Sequence, residues 1–168
     1  REYDFYTKFV ELAAEVNQGM PHHVVNKIAE GLNLHGKPLH GSSVLLLGVT
    51  FKRDVDDARN SPAERVIELL LAAGARVSYN DPYVPVFRAG SDAFFRRPLE
   101  FRSTPLTDEQ VRAADCVVIL AAHSCYDYVW LAQEARLIVD TVNALHGLRG
   151  NHIVRLGTPG PAHKNSRT

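Results

Sequence analysis

A cluster of opposite charges follows the first strongly apolar run of the sequence. Residues 43–49 form that run, and the segment after it contains Lys52, Arg53 and Arg59 together with Asp54, Asp56 and Asp57. A lysine just past the end of a buried strand can meet a phosphate or a sugar oxygen as a mobile point charge. The alternative is that the opposite charges pair with one another and only position the helix that follows. At the level of the residues both interpretations stay open.

The same segment lacks the glycines of a dinucleotide-binding turn. A GxGxxG sequence lets a pyrophosphate reach the backbone at a helix N-terminus, whereas residues 48–62 contain a single glycine and a long charged insert. We therefore expect no NAD site in this chain. The adjacent Asp56 and Asp57 allow a second idea, a metal or phospho-acceptor site of the response-regulator receiver type. That fold needs a lysine after its fifth strand and residues 141–143 provide none, so we expect no metal site.

Histidines and cysteines elsewhere in the sequence are weaker candidates for a functional site. His22 and His23 are adjacent, so on a helix they point about 100° apart and cannot share a metal ion. His123 follows a predicted strand, where it could line a pocket or be a packed core residue. Cys125 lies two residues further on and suggests a Cys/His pair, but nothing nearby marks an activated thiolate. A small apolar packing residue is the other interpretation of Cys125.

Hydrophobic periodicity predicts strands that alternate with helices. Strands are expected at 43–49, 75–79, 115–123, 135–142 and 151–156, with a short one at 99–102, and helices at 62–73, 107–114 and 128–134. Residues 82–98 are expected to form a loop or a short helix. Such alternation is typical of βαβ units, in which helices cover both faces of a parallel sheet. We therefore predict a Rossmann-like, doubly wound α/β domain over residues 42–157.

A long N-terminal helix is predicted before this domain, over residues 1–35. Its apolar residues recur every three or four positions: Phe5, Phe9, Leu12, Val16, Met20, Val24, Ile28 and Leu32. Gly19 and Pro21 interrupt this stripe, and proline removes a helical hydrogen bond, so we expect a kink or a break near residues 17–21. Either the helix lies on its own domain, or it also packs against a second domain or subunit. Residues 158–168 are predicted to be a disordered tail.

Composition and chain ends exclude several classes of protein. Nineteen basic residues balance nineteen acidic ones, so no net basic field draws the chain to nucleic acid. The longest strictly apolar run, 116–122, is far shorter than the about 20 residues that cross a membrane. The N-terminus has no signal-peptide pattern, and two cysteines make no disulfide framework, so a cytoplasmic location is expected. Because the chain starts at Arg1 and its only methionine is Met20, we expect part of a longer polypeptide.

Four segments resemble motifs of one enzyme family. Residues 48–63 are similar to the segment that opens the C-terminal domain of the UDP-glucose/GDP-mannose dehydrogenase family. Residues 81–85 are similar to the motif that ends its next strand, and residues 140–143 to its terminal-strand motif. Residues 17–21, with Val24 and Val25 after them, resemble the central-helix motif of the bacterial UDP-N-acetylglucosamine 6-dehydrogenase branch. The resemblance covers residues 1–157, with its motifs in the family's order and spacing.

The resemblance implies oxidation of the C6 alcohol of a nucleotide sugar to a carboxylate, with NAD as the electron acceptor. In this family an N-terminal Rossmann domain binds NAD, and a cysteine in a GxCxPxD segment forms the covalent intermediates. The C-terminal domain holds the UDP moiety, and the long central helix joins the domains and forms the dimer. Neither the NAD fingerprint nor the GxCxPxD segment occurs in this sequence, and Cys116 and Cys125 do not match its cysteine. We therefore predict that this chain alone has no catalytic residue and is inactive.

Position by position, the resemblance assigns Phe51 and Lys52 to contacts with the nucleotide sugar, and Arg59 and Ser61 to the same loop. Related enzymes have an arginine facing the UDP moiety where this chain has Val142, so weaker UDP binding is expected. The prediction is a UDP-sugar site at Phe51, Lys52 and Arg59 and a homodimer through the N-terminal helix. The whole enzyme would convert a UDP-N-acetylhexosamine to the uronic acid. The alternative is a non-catalytic Rossmann-like binding or interaction module that has lost the chemistry.

Overall fold

The computed structural model describes residues 8–90 and 99–157. The elements along the chain are α1 (Lys8–Leu34), β1 (Ser43–Leu47), α2 (Pro62–Ala72), β2 (Arg76–Asn80), β3 (Val86–Ala89), β4 (Leu99–Arg102), α3 (Asp108–Ala113), β5 (Cys116–Ile119), α4 (Tyr128–Glu134), β6 (Ile138–Asp140) and β7 (Ile153–Arg155). Phe5 and the tail 158–168, for which predictions were made, lie outside the described residues.

Five strands form one parallel sheet in the order β2–β1–β5–β6–β7. Successive side chains of a strand point to opposite faces, and β1 shows the result. Val44 and Leu46 join the core under α1 and α2, whereas Leu45 and Leu47 join the core under α3 and α4. Helices therefore cover both faces, which confirms the predicted Rossmann-like, doubly wound architecture with a long helix before it.

Of the kink or break expected near residues 17–21, the break is wrong, because α1 runs as one helix through Pro21. A proline inside a helix costs about 3 kcal/mol. Burial of Pro21, Val24 and Ile28 against the domain offsets that cost. The first half of the helix is different, since Phe9, Leu12 and Val16 are all more than half exposed. α1 thus packs on the domain only from about Pro21 onward.

The expectation of a loop or short helix over residues 82–98 is wrong at Val86–Ala89, and residues 91–98 lie outside the described residues. β3 occupies Val86–Ala89 and pairs antiparallel with β4 in a separate two-stranded sheet. Phe87 and Ala89 are buried and alternate with exposed Val86 and Arg88. This two-residue period spans only four residues between prolines, which is too short to stand out in the sequence. No helix within the described residues has the length and apolarity to cross a membrane.

Candidate functional site

The order of the strands places a crevice beside the end of β1. The chain moves from β1 outward to β2 and then returns to the other side of β1 with β5. In doubly wound sheets, ligands bind at such a reversal, beyond the carboxyl ends of the strands. Two segments leave the sheet at this point: the β1–α2 loop (residues 48–61) and the turn after β5 (residues 120–127). The charged segment singled out in the sequence is the first of these.

Gly48 starts the β1–α2 loop with a backbone conformation that other residues rarely adopt. Its φ is +78°, and a Cβ placed there would lie 2.6 Å from the Cβ of Ala121 and 2.8 Å from its carbonyl oxygen. Glycine alone combines this φ with so close an approach of two chains. The chain can therefore turn sharply out of the sheet while staying against the segment that follows β5.

Local hydrogen bonds close the β1–α2 loop into a defined shape. The backbone N–H of Phe51 donates to the carbonyl of Asp57 at 3.0 Å, which draws the two ends of the charged stretch together. At the end of the loop, the hydroxyl of Ser61 caps α2 by accepting from the N–H of Ala63. Pro62 occupies the first turn, as predicted, where its missing N–H costs nothing. Hydrogen bonds therefore hold the loop in one conformation.

The structure brings Phe51 and Arg59 together but gives Lys52 a different environment. Phe51 and Arg59 line one cavity of about 300 Å³ together with Asp57 and Asn60. Phe51 is 58% exposed, so its ring is available to a ligand. Lys52 is also exposed, and its ammonium has no hydrogen-bond or ion-pair partner among the described residues. Phe51 and Asn60 also line a neighbouring groove of about 800 Å³ between α1 and the start of α2.

Arg59 is held by Asp57 in a two-pronged ion pair. Its Nε lies 2.8 Å from Asp57 Oδ1 and its Nη2 lies 2.9 Å from Oδ2. These hydrogen bonds lower the pKa of Asp57 to about 2 and raise the pKa of Arg59. Such pairing is what the purely structural interpretation of the loop expects, so a ligand anion has to compete with Asp57 for this guanidinium. The unpaired cation next to Phe51 is Lys52.

Val142 lies apart from this cavity. It follows β6, is 44% exposed, and lines a separate cavity of about 440 Å³ with residues on both sides of it and Arg155–Gly157. Because β5 separates β6 from β1, the two strand ends are about 10 Å apart at the usual strand spacing. Asp140 fixes the turn by accepting from the N–H groups of Val142 and Leu145. The cavity at Val142 is therefore separate from the cavity lined by Phe51 and Arg59.

The residues that hold the loop in place were largely missed by sequence reasoning. The imidazole of His123 is fully buried at the end of β5 and contacts both Thr50 and Asp54 of the β1–α2 loop. Asp81, buried at the end of β2, receives the N–H of Val49 at 2.7 Å. The sequence marked His123 as a residue after a strand and Asp81 as part of a motif. It gave no sign that they touch.

The start of α2 offers few N–H groups to a pyrophosphate. Pro62 has no N–H to donate, and the hydroxyl of Ser61 already takes the N–H of Ala63. The cysteines also lack the features of a nucleophile. Burial raises the pKa of the Cys116 thiol, and desolvation raises that of Cys125. His22 and His23 lie exposed on α1, and no metal-binding group of side chains occurs in residues 8–90 and 99–157.

Comparison with known proteins identifies relatives with the same domain. A sequence model of the UDP-glucose/GDP-mannose dehydrogenase family, UDP binding domain, matches residues 45–147. The UDP-N-acetyl-D-mannosamine dehydrogenase of Methanocaldococcus jannaschii is 34% identical over 148 residues, which are 83% of this chain and 30% of that protein. The UDP-N-acetyl-D-glucosamine 6-dehydrogenase of Pseudomonas aeruginosa is 26% identical over 120 residues, 71% of this chain and 26% of that protein.

A solved structure of a related dehydrogenase has the same fold. The NDP-N-acetyl-D-galactosaminuronic acid dehydrogenase of Methanosarcina mazei Go1 is 30% identical and superposes with a TM-score of 0.71. The match covers 95% of this chain and 34% of that one. The chain thus spans about a third of the length of the relatives it matches. With the doubly wound sheet, the charged β1–α2 loop and the family match over residues 45–147 in agreement, the chain belongs to the UDP-glucose/GDP-mannose dehydrogenase family and carries its UDP-binding domain.

Proposed function

We propose that this chain is the UDP-holding and dimer-forming part of an NAD-dependent nucleotide-sugar 6-dehydrogenase. The observation that carries the proposal is the cavity at the end of β1. There Phe51 and Arg59 face a common space, and the unpaired ammonium of Lys52 lies next to Phe51 in the chain. An exposed aromatic ring can pack on a flat base or sugar, and a lysine supplies a point charge for a diphosphate. We therefore assign Phe51, Lys52 and Arg59 to UDP-sugar binding.

Oxidation would take place outside this chain. Its β1–α2 loop lacks the glycines of a dinucleotide-binding turn, and the pKa of neither cysteine thiol is lowered, so we assign NAD and the reacting cysteine to a further part of the enzyme. The purified chain mixed with NAD and any UDP-sugar is therefore expected to form no NADH above a buffer control. NADH formation that rises in proportion to the amount of chain would contradict this assignment. A cytoplasmic location is part of the same proposal.

The substrate class proposed is a UDP-N-acetylhexosamine. Support comes from the relatives, whose names specify UDP-N-acetyl-D-mannosamine and UDP-N-acetyl-D-glucosamine. The groove of about 800 Å³ beside Phe51 offers room for a sugar next to the UDP cavity, with Asn17, Gln18 and His22 as polar groups in its wall. Competition of UDP-N-acetylmannosamine, UDP-N-acetylglucosamine and UDP-glucose against UDP would rank the sugars. Identical affinities for all of them would argue against a sugar subsite in this chain.

Dimer formation is proposed through the first half of α1. Phe9, Leu12 and Val16 lie along one side of a helix and are 81%, 58% and 55% exposed. An exposed apolar stripe of this kind usually marks an interface. A symmetric pairing of two such helices would cover it in both copies, since the same surface serves both partners of a two-fold dimer.

Titration calorimetry with UDP tests the site assignment. A charged hydrogen bond from Lys52 is worth roughly 1.5–3 kcal/mol, and about 1.4 kcal/mol is a factor of ten in affinity. Lys52→Ala should therefore weaken UDP binding tenfold or more. Lys37→Ala is the matched control, because Lys37 pairs with Asp115 at the amino-terminal end of β5, the end of the sheet opposite to the β1–α2 loop. Equal affinities of the unchanged chain and Lys52→Ala would show that the loop is only structural.

The alternative is a binding or interaction module without catalytic chemistry. The valine at position 142 favours it, because the family resemblance implies an arginine there. The two functions differ in what lies beside this domain. A gene that encodes a GxGxxG segment and a GxCxPxD segment ahead of residue 1 supports the dehydrogenase. A gene that encodes neither supports the module.

A further inference from the structure

We propose that His123 is a positioning residue for nucleotide binding: its buried imidazole holds both ends of the tripeptide Phe51–Arg53, and thereby sets where Phe51 and Lys52 meet the UDP moiety. This inference rests on the proposed function. His123 is fully buried and lines neither the cavity of Phe51 and Arg59 nor the adjoining groove. It acts through the β1–α2 loop.

The contacts of the imidazole bracket the tripeptide. Nδ1 of His123 accepts the backbone N–H of Asp54 at 2.9 Å, and Nε2 lies 3.3 Å from Oγ1 of Thr50. Thr50 and Asp54 are the residues immediately before and after Phe51–Arg53. The hydroxyl of Thr50 also donates to the carbonyl of Lys52 at 2.8 Å. One side chain from the turn after β5 thus fixes the start and the end of the tripeptide, and through Thr50 a carbonyl within it.

The direction of each hydrogen bond follows from the chemistry of the partners. A backbone N–H only donates, so Nδ1 carries no proton and the neutral ring is protonated at Nε2. This N–H points to Oδ2 of Asp81 at 3.1 Å, with the oxygen of Thr50 as a second acceptor. The same carboxylate receives the N–H groups of Val49 and Tyr83 at 2.7 and 2.9 Å. The ends of β1, β2 and β5 are therefore tied together through one imidazole.

A second hydrogen bond from the turn after β5 also holds the loop at Asp54. Asp54 has a φ of +58°, a conformation that costs free energy for any residue with a side chain. The N–H of Ser124 donates to Oδ1 of Asp54 at 2.7 Å, so residues 123 and 124 hold both its backbone and its carboxylate. The ring of Tyr83 lies over the imidazole with centroids 4.9 Å apart and helps to keep water from the network.

Two substitutions separate the roles of the two imidazole nitrogens, Nδ1 and Nε2. In His123→Asn the amide oxygen can replace Nδ1 as the acceptor for the N–H of Asp54. In His123→Gln the longer side chain can replace Nε2 as the donor to Asp81 instead. Both variants lose one buried hydrogen bond and are expected to unfold at lower temperature. His123→Gln releases Asp54, whose hydrogen bond to Nδ1 is 2.9 Å, so this variant should weaken UDP binding by about fivefold or about 1 kcal/mol. His123→Asn keeps that hydrogen bond and loses only the longer contact to Thr50, so it should weaken UDP binding less, by about twofold at most.

Calorimetry with UDP, thermal unfolding and amide hydrogen exchange at Asp54 are measured on the full chain and both variants. We expect a slowly exchanging Asp54 amide in the unchanged chain and in His123→Asn, and a fast one in His123→Gln. His152→Gln is the control, since Nε2 of His152 contacts the carbonyl of Ala132 beside β7, and this change should leave UDP affinity alone. Should both His123 variants fail to fold, Thr50→Val replaces them and is expected to weaken UDP binding about threefold.

Losses of UDP affinity that simply follow the losses of thermal stability in both variants would overturn the positioning role. Unchanged UDP affinity in His123→Gln, or in Thr50→Val where that variant is used, would overturn it as well. An unchanged chain that binds no UDP at millimolar concentration would instead overturn the proposed function, and this inference with it. The two failures are therefore distinguishable.

Discussion

Gly48→Ala should destabilise the protein far more than Gly41→Ala, although both glycines have a φ of +78°. At Gly41 a Cβ would meet nothing within 4 Å, so only the backbone conformation is penalised. That penalty is about 1–2 kcal/mol. At Gly48 the Cβ would also lie 2.8 and 2.9 Å from the backbone oxygen and nitrogen of Ala121. Forcing atoms into a packed site adds about 1–3 kcal/mol.

The middle of these ranges is about 3.5 kcal/mol for Gly48→Ala and about 1.5 kcal/mol for Gly41→Ala. In a chain of this size that corresponds to a fall in Tm of roughly 7–14 °C against roughly 3–6 °C. Thermal unfolding followed by circular dichroism measures both. Adding Ala121→Gly to Gly48→Ala removes the Cβ contact but not the backbone contacts, so it should restore little of the loss. Equal Tm losses in the two single variants, or full rescue by Ala121→Gly, would refute the close approach of these two segments.

Three further predictions follow from the surface groups. Phe9→Asp places a charge in the exposed stripe of α1, so light scattering should report a shift from twice the chain mass toward the single mass; a monomeric unchanged chain at high micromolar concentration would contradict the dimer. Val142→Arg should change UDP affinity by less than about twofold, since Val142 lines a cavity apart from that of Phe51 and Arg59, and a tenfold gain would place this strand end against the nucleotide. Arg59→Ala should raise the pKa of Asp57 from about 2 toward 3.8, as measured by carboxyl NMR. Because the pKa of Asp57 is lower in the folded protein than in the unfolded chain, this ion pair stabilises the fold fully above pH 3.8. The stabilisation is lost as the pH falls from 3.8 through about 2. A pKa of about 3.8 for Asp57 in the unchanged chain would disprove the pairing.

The sheet could be predicted from the sequence because its signals are local. The apolar run 43–49 and the strand at residues 116–119 stand between helices with clear caps, and α4 was predicted at Tyr128–Glu134, the bounds that the structure has. The capping hydroxyls of Ser61 and Thr107 were equally visible. Such features depend on residues a few positions apart. β3 escaped notice because four residues give too short a period.

The candidate site was only half predictable. The position of Lys52 just past a buried strand is a local fact, and so is the charge pattern around Arg59. The tie between His123 and the loop joins residues 69 positions apart, and no local pattern encodes it. Likewise, the groove beside Phe51 exists because α1 packs next to the start of α2. The sequence placed Val142 at a strand end but could not show that it lines a different cavity.

UDP is expected to bind at the β1–α2 loop, and the amide chemical shifts of the labelled chain on addition of UDP locate its binding site. The largest shift changes should fall on residues 49–61, with smaller changes on the α1 residues around Asn17 and Gln18 that line the adjoining groove. Residues 150–153, at the amino end of β7, serve as the internal reference and should not move. Shift changes concentrated on residues 140–157, or none at all with millimolar UDP, would contradict the account.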